Sequence, residues 1–190
     1  MKKLTSLGPG WTLFLDRDGV INERIPGDYV KHQNEFKFLP GVLDSFSVFY
    51  NLFNPIIIVT NQQGIGRGLM TTSQLESVHE KMMSEVKQSG GRIDAVFFSP
   101  DLKNTQSFSR KPAIGMGLQA RKKFPAINFK KSIMVGDTKS DMLFGYRLGM
   151  VTVLIGADKD LIFQCGDIVD YTFPDLLSFA GFTETFSKQY

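Results

Sequence analysis

The feature that most restricts this chain is a set of short apolar runs, each stopping at a polar residue. Residues 11–15 form the first run and end at Asp16, and residues 56–59 form the second and end at Thr60. Residues 95–98, 133–135 and 151–155 continue the series, and residues 171–173 add a sixth. The runs are β-branched or aromatic and do not alternate with polar residues. That pattern suits strands buried on both faces of a parallel sheet. Helical spacing fills the gaps. Val42, Leu43, Phe46, Phe49 and Tyr50 share one face after Pro40-Gly41. Ser73 and Glu76 match a capping box that opens a helix through Leu75, Val78, Met82 and Val86, and Gly90-Gly91 stops it. Pro112 is expected to open a third helix through residues 118–124, and residues 139–148 read as a short fourth ending at Gly149. Strands alternating with helices mean βα units with right-handed crossovers, so the expected fold is a three-layer α/β sandwich around a central parallel sheet.

Composition removes several alternatives. The 22 basic and 19 acidic side chains leave a net charge of +3 over 190 residues, too weak for a nucleic-acid footprint. The single cysteine, Cys165, excludes an intrachain disulfide framework and any multi-cysteine metal site, and reads as a packed bystander. No apolar run is long enough to span a membrane, and no apolar segment follows the lysines after Met1. One domain over residues 1–190, cytoplasmic and monomeric, is the expected organisation. The 17 phenylalanines supply core volume. His79, on the 73–88 helix, is expected at the surface, and His32 in an exposed loop. Phe182, Phe186 and Tyr190 recur at helical spacing and are expected to pack a terminal helix on the core.

In open parallel sheets ligands bind beyond the carboxyl ends of the strands, and polar residues gather there in this chain. Asp16-Arg17-Asp18-Gly19 follows the first strand, Thr60-Asn61-Gln62 the second, and Gly136-Asp137 the fourth, with Asp141 one helical turn on. Lys111 stands just before Pro112. Asp16 and Asp18 can reach one small volume if the backbone turns at Gly19. Carboxylates that close raise one another's pKa unless a cation neutralises them. With Asp137 they form an oxygen-only donor set suited to Mg²⁺. Lys111 adds positive charge and Thr60 a hydroxyl donor, which together describe a site for a phosphoryl group. One carboxylate is then free to attack phosphorus, and another to protonate the leaving oxygen and activate water. Residues 64–68, Gly-rich, do not match a dinucleotide fingerprint.

Asp16-Arg17-Asp18-Gly19, Thr60-Asn61-Gln62, Arg110-Lys111-Pro112 and Gly136-Asp137 with Asp141 resemble the four ordered motifs of the haloacid dehalogenase phosphatase superfamily, over roughly residues 11–155. The resemblance implies a Rossmann-like sandwich, Asp16 as nucleophile, Asp18 as general acid and base, and Thr60 and Lys111 as phosphoryl contacts. It implies Mg²⁺ on Asp16, the Asp18 main-chain carbonyl and Asp137. Asp141 would be the last acidic position, a partner behind the metal or a contact to its water. More narrowly, Val20-Ile21-Asn22, Phe38-Leu39-Pro40-Gly41, residues 60–68 and Arg110 through Met116 look like the D,D-heptose 1,7-bisphosphate phosphatases, with the histidinol-phosphate phosphatases sharing most of this. These relatives carry no large cap, and the short stretches between the motifs here leave a cap domain nowhere to sit. The implied function is Mg²⁺-dependent hydrolysis of a small sugar phosphate. Polynucleotide 3′-phosphatase and a non-catalytic phospho-ligand binder are the alternatives, and no nucleic-acid or membrane partner is expected. Arg67 and Arg110 are candidate contacts to the distal part of the substrate, because arginine pairs phosphate bidentately. Asn22 and Asn61 either orient substrate or hold backbone. Two departures stand out. Positions matching the relatives' zinc ligands read Ser99, Asp101, Ser107 and Ser109, so no zinc is expected. Thr138 stands where heptose-type members tend to have lysine.

Overall fold

The computed structural model describes residues 2, 4, 7, 8 and 10–187. Tyr190, expected on the terminal helix, lies outside the described residues. The six apolar runs all become strands: β1 (Thr12–Leu15), β2 (Ile56–Asn61), β3 (Ala95–Ser99), β4 (Ser132–Gly136), β5 (Val151–Ile155) and β6 (Tyr171–Phe173). They form one sheet in the order β3-β2-β1-β4-β5-β6, and every pairing is parallel. The helices are α1 (Val42–Leu52), α2 (Gln63–Gly66), α3 (Thr72–Gln88), α4 (Gly115–Lys123), α5 (Lys139–Leu148), α6 (Lys159–Cys165) and α7 (Leu176–Ser187).

The central strands β1, β2, β4 and β5 do not alternate in polarity because both faces are covered, and the pleat sends neighbours to opposite sides. Leu13, Leu15, Ile56, Ile58, Ile133 and Val135 pack with Phe46 and Phe49 of α1, Val78 and Met82 of α3, and Phe179 of α7. Phe14, Ile57, Val59 and Met134 point the other way, onto Met116 and Ala120 of α4 and Phe144 of α5. The phenylalanines do fill the core: Phe49 stands at 5.8 Å from Phe53 and 5.7 Å from Phe179, centroid to centroid. Phe182 and Phe186 pack beside them. Cys165 is buried with Met142, Leu154 and Val169, and burial pushes its thiol pKa up.

Two helix starts differ from expectation. The capping box of α3 is Thr71 with Gln74, not Ser73 with Glu76: Thr71 Oγ1 accepts from the Gln74 amide at 3.2 Å, and Gln74 Oε1 accepts from the Thr71 amide at 2.8 Å. A hydroxyl at the true N-cap satisfies an orphan amide, whereas Ser73 already lies inside the first turn. Helix α4 opens at Gly115 rather than Pro112. Residues 110–114 form a turn instead, closed by Ala113 N to Arg110 O at 2.8 Å and Gly115 N to Phe108 O at 2.9 Å. That turn sends Lys111 inward.

The strand order reverses between β1 and β4, which run from the same central position to opposite halves of the sheet. That switch point is where an open α/β sheet leaves a crevice. Among the described residues no inserted domain covers it. The stretch from β1 to α1 holds one short 3-10 turn (Gln33–Glu35), capped by exposed His32, and the stretch from β2 to β3 holds α2 and α3.

Candidate active site

Strand register brings the polar ends together. Leu15 pairs with Ile58 on one side and Val135 on the other, and the Asp16 amide donates to Val135 O at 3.0 Å. Asp16 therefore emerges at the crevice floor, only 7% exposed. The backbone then turns at Gly19, with φ of +91°, but the carboxylates that cluster with Asp16 are those of Asp137 and Asp141, while Asp18 is turned onto Arg17, Asn22 and Gln62. A Cβ at Gly19 would stand 2.0 Å from Asp137 Oδ2, so this position also needs glycine for space.

Lys111 is buried against this floor. Its ammonium lies 2.8 Å from Asp16 Oδ1 and 2.6 Å from Asp141 Oδ1, and donates to Val59 O at 2.6 Å. Burial disfavours the charged amine, but Asp141 and Asp16 outweigh it and hold the lysine pKa above its ordinary value. Asn61 fixes the main chain of Lys111 from both sides, donating to its carbonyl at 3.1 Å and accepting from its amide at 3.0 Å. Of the two readings for Asn61, backbone holding is what these contacts do, and the residue also borders the cavity. Asp141 is fully buried at the start of α5, where Thr138 closes a capping box on it.

Asp18 sits in a ring of donors. Arg17 Nη2 reaches its two oxygens at 2.8 and 2.9 Å, Asn22 Nδ2 donates at 2.9 Å and Gln62 Nε2 at 2.7 Å. Burial opposes its ionisation, yet the Arg17 charge and these bonds prevail and hold its pKa below the usual carboxylate range. Asn22 is fully buried behind Asp18 and does not border the cavity, so its observed contacts are to Asp18 and the Glu23 carbonyl, not to substrate space. Gln62 also donates to Thr60 Oγ1 at 2.9 Å, tying the two motifs together.

His79 corrects the sequence reading. It is buried rather than at the surface, 3.2 Å from Arg17 Nη1 through its Nε2 and 6.2 Å from the Phe98 ring. Burial and the Arg17 charge push its pKa down to about 3, which keeps it neutral. A fully buried arginine is costly unless each donor finds a partner. Asp18 and His79 supply those partners.

Asp16, Asp137 and Asp141 each offer an oxygen within 4.8 Å of the others. Burial, with repulsion from Asp16 and Asp141, raises the Asp137 pKa to about 8. Burial, only partly offset by Lys111, raises Asp16 to about 6. Such a cluster favours a cation. Its donors are all oxygens, as Mg²⁺ prefers. A positive group already points there: Arg24 Nη2 meets both Asp137 oxygens at 3.0 and 2.9 Å and the Asp18 carbonyl at 3.0 Å. The residues therefore fit the metal. Arg24 escaped the sequence reading, because one arginine in an irregular loop carries no pattern.

Above the floor lies a cavity of about 400 Å³, bordered by Asp16, Asp18, Thr60 and Lys111 at its base and by Arg67, Arg110 and Tyr29 further out. Burial depresses the Arg110 pKa, and Arg67 adds to the depression. Two neighbouring arginines form a ready anion site. Arg110 is placed by the loop that follows β3. There Asp101 Oδ2 accepts from Ser99 at 3.2 Å, Ser107 at 2.5 Å and Ser109 at 2.7 Å, while Arg110 Nη1 donates to the Asp101 carbonyl at 2.9 Å. The four positions named as zinc-ligand equivalents thus do meet, and they bond to one another.

A buried lysine between two carboxylates, at the strand ends of an open parallel sheet of this order, agrees with the resemblance of the four motifs to the haloacid dehalogenase phosphatases. The family model described as polynucleotide kinase 3 phosphatase matches residues 13–169, and the chain belongs to that family. It is 32% identical over 173 residues to the D-glycero-alpha-D-manno-heptose-1,7-bisphosphate 7-phosphatase of Mycobacterium tuberculosis, covering 91% of each chain. It is 36% identical over 134 residues to the D-glycero-beta-D-manno-heptose-1,7-bisphosphate 7-phosphatase of Helicobacter pylori, covering 70% of this chain and 75% of that one. The crystal structure of D,D-heptose 1,7-bisphosphate phosphatase from B. bronchiseptica, complexed with magnesium and phosphate, superimposes with a TM-score of 0.82 at 27% identity, covering 92% of this chain and 98% of that one.

Proposed function

We propose that the chain is a Mg²⁺-dependent phosphomonoesterase that removes the 7-phosphate from D-glycero-D-manno-heptose 1,7-bisphosphate. The observation that carries this reading is the pairing, in one small cavity, of a base built for a reacting phosphoryl group with a second cationic pair beyond it. The first phosphate meets Asp16, Thr60 and Lys111. The second meets Arg67 and Arg110. The named activity of the relatives supports the same substrate.

Asp16 attacks phosphorus in line, and the bond from phosphorus to the sugar oxygen breaks. The departing oxygen takes a proton from Asp18, leaving an aspartyl-phosphate on Asp16. Asp18, now ionised, accepts a proton from water as that water attacks phosphorus. Inorganic phosphate leaves and the Asp16 carboxylate is restored. The donors around Asp18 favour the ionised form that the second step needs. For the first step it must take up a proton, which a dianionic phosphate close by promotes by raising its pKa. Lys111 stays charged throughout, placed by Asn61, and offsets negative charge on the phosphoryl oxygens. A magnesium ion held by Asp16, the Asp18 carbonyl and Asp137 would neutralise the rest of that charge. The loop closed by Asp101 and the three serines is proposed to hold its shape without zinc.

Two other substrates make different demands. Histidinol phosphate would bring a cationic end toward Arg67 and Arg110, which repel it. A DNA 3′-phosphate, favoured by the description of the matching family model, would place a polynucleotide over a cavity sized for a small ligand. Phosphate release from the three compounds, measured side by side with Mg²⁺, separates them. The heptose bisphosphate should give the largest kcat/KM. A preference for either rival overturns the substrate assignment, and silence toward all three favours a non-catalytic binder.

A further inference from the structure

Arg24 makes three side-chain hydrogen bonds, all from Nη2, to the two oxygens of Asp137 and to the main-chain carbonyl of Asp18. These are the atoms expected to ligate the divalent ion, apart from those of Asp16. The nitrogen lies 2.9–3.0 Å from all three oxygens, on the side where an ion ligated by the same atoms would stand, and two positive charges at that range repel. The guanidinium is also free to leave. Its side chain is 50% exposed, and it extends from a stretch that belongs to no helix or strand. Lys111, by contrast, is buried and fixed on three sides, so it cannot take the place of Arg24.

We propose that Arg24 is a built-in counter-cation: it holds Asp137 and the Asp18 carbonyl together when no metal is bound, and the divalent ion displaces it. The idea rests on the magnesium reading above. It predicts competition, since every metal ion that enters must first break the Arg24 contacts. It also predicts that Arg24 stabilises only the metal-free protein. Once displaced, the guanidinium is released into the substrate cavity, whose wall it already forms.

The test compares wild type with Arg24→Gln by titration calorimetry with MgCl₂ and by thermal unfolding in EDTA and in saturating Mg²⁺. Arg67→Gln serves as the control, because it removes the same charge from the same cavity without touching Asp137. Arg24→Gln should bind Mg²⁺ about three- to fivefold more tightly, the scale expected for one half-exposed ion pair. It should melt about 2–4 °C lower in EDTA and level with wild type in Mg²⁺. Arg67→Gln should change metal affinity less than twofold and show no EDTA-specific loss. Unchanged or weaker Mg²⁺ binding by Arg24→Gln overturns the proposal, and so does an equal gain in Arg67→Gln, which would reduce the effect to general electrostatics. If neither wild type nor Arg24→Gln takes up Mg²⁺, the magnesium reading falls. Displacement of Arg24 falls with it, an outcome distinct from Mg²⁺ uptake that Arg24→Gln leaves unchanged.

Discussion

At the scale of single residues, the site is a problem of buried charge. Asp16, Asp137 and Asp141 crowd one another, and Lys111 and Arg24 answer them. Asp18 is separate: its charge is matched by Arg17, a fully buried arginine whose remaining donor reaches His79. This last contact makes a pH prediction. Unfolded, His79 titrates near its ordinary value of 6.5, and folded only at about 3. Between those values the unfolded chain takes up a proton that the folded chain refuses. Acid therefore costs stability through His79, at most about 1.4 kcal/mol per pH unit, and the loss is absent above pH 6.5. His79→Gln removes that proton uptake. Denaturant unfolding of both proteins between pH 7 and pH 4.5 should show the variant gaining on wild type as pH falls. Parallel curves would contradict the account.

At the scale of elements, the strand ends and the loop after β3 do the positioning. Gly136 ends β4, and a Cβ on it would stand 2.2 Å from Asp141 Cβ, so α5 starts as close to the sheet as a chain can. That closeness lets Asp141 reach Lys111. The loop knotted by Asp101 works at longer range, since Ser107 and the Asp101 carbonyl together hold Arg110 toward the cavity. Asp101→Ala releases three serine hydroxyls, worth about 1–2 kcal/mol for partly exposed bonds. Steady-state kinetics on a bisphosphate substrate should show KM rising several-fold with kcat nearly retained. A fall confined to kcat would mean the loop acts on the reacting phosphoryl group instead. Much of this scale was legible beforehand. Strands buried on two faces announce themselves as unbroken apolar runs, as β1, β2, β4 and β5 did, whereas β6 is a short edge strand with Thr172 exposed. The start of α4 was not legible, because a proline fits a helix's first turn and a tight turn equally well.

At the scale of the whole molecule, one sheet reverses its strand order at the crevice, and no inserted domain among the described residues roofs it. The floor is thus shaped by strand ends, and the outer wall by residues 24–30, by Gln63 and Arg67 of α2 and its end, and by Arg110. Asp16, Asp18, Thr60, Lys111 and Asp137 could be named from the sequence because each sits at a strand end or in an ordered motif. Arg24 and the pair of Arg17 with His79 could not. His79 is 62 residues from Arg17 and Asp137 is 113 from Arg24, and a charged residue in a loop or on a helix carries no mark of such a distant partner. His79 lies on a helix with charged neighbours on its other faces, and contacts with Arg17 and the Phe98 ring are what meet it on the inward side. Asp16 carries the proposed phosphatase reaction on this floor. The most direct measurement is phosphate release from heptose 1,7-bisphosphate with Mg²⁺, by wild type and by Asp16→Asn confirmed as folded. Wild type should turn over, and the variant should lose about 10³-fold or more. Equal turnover by both proteins would contradict that role for Asp16.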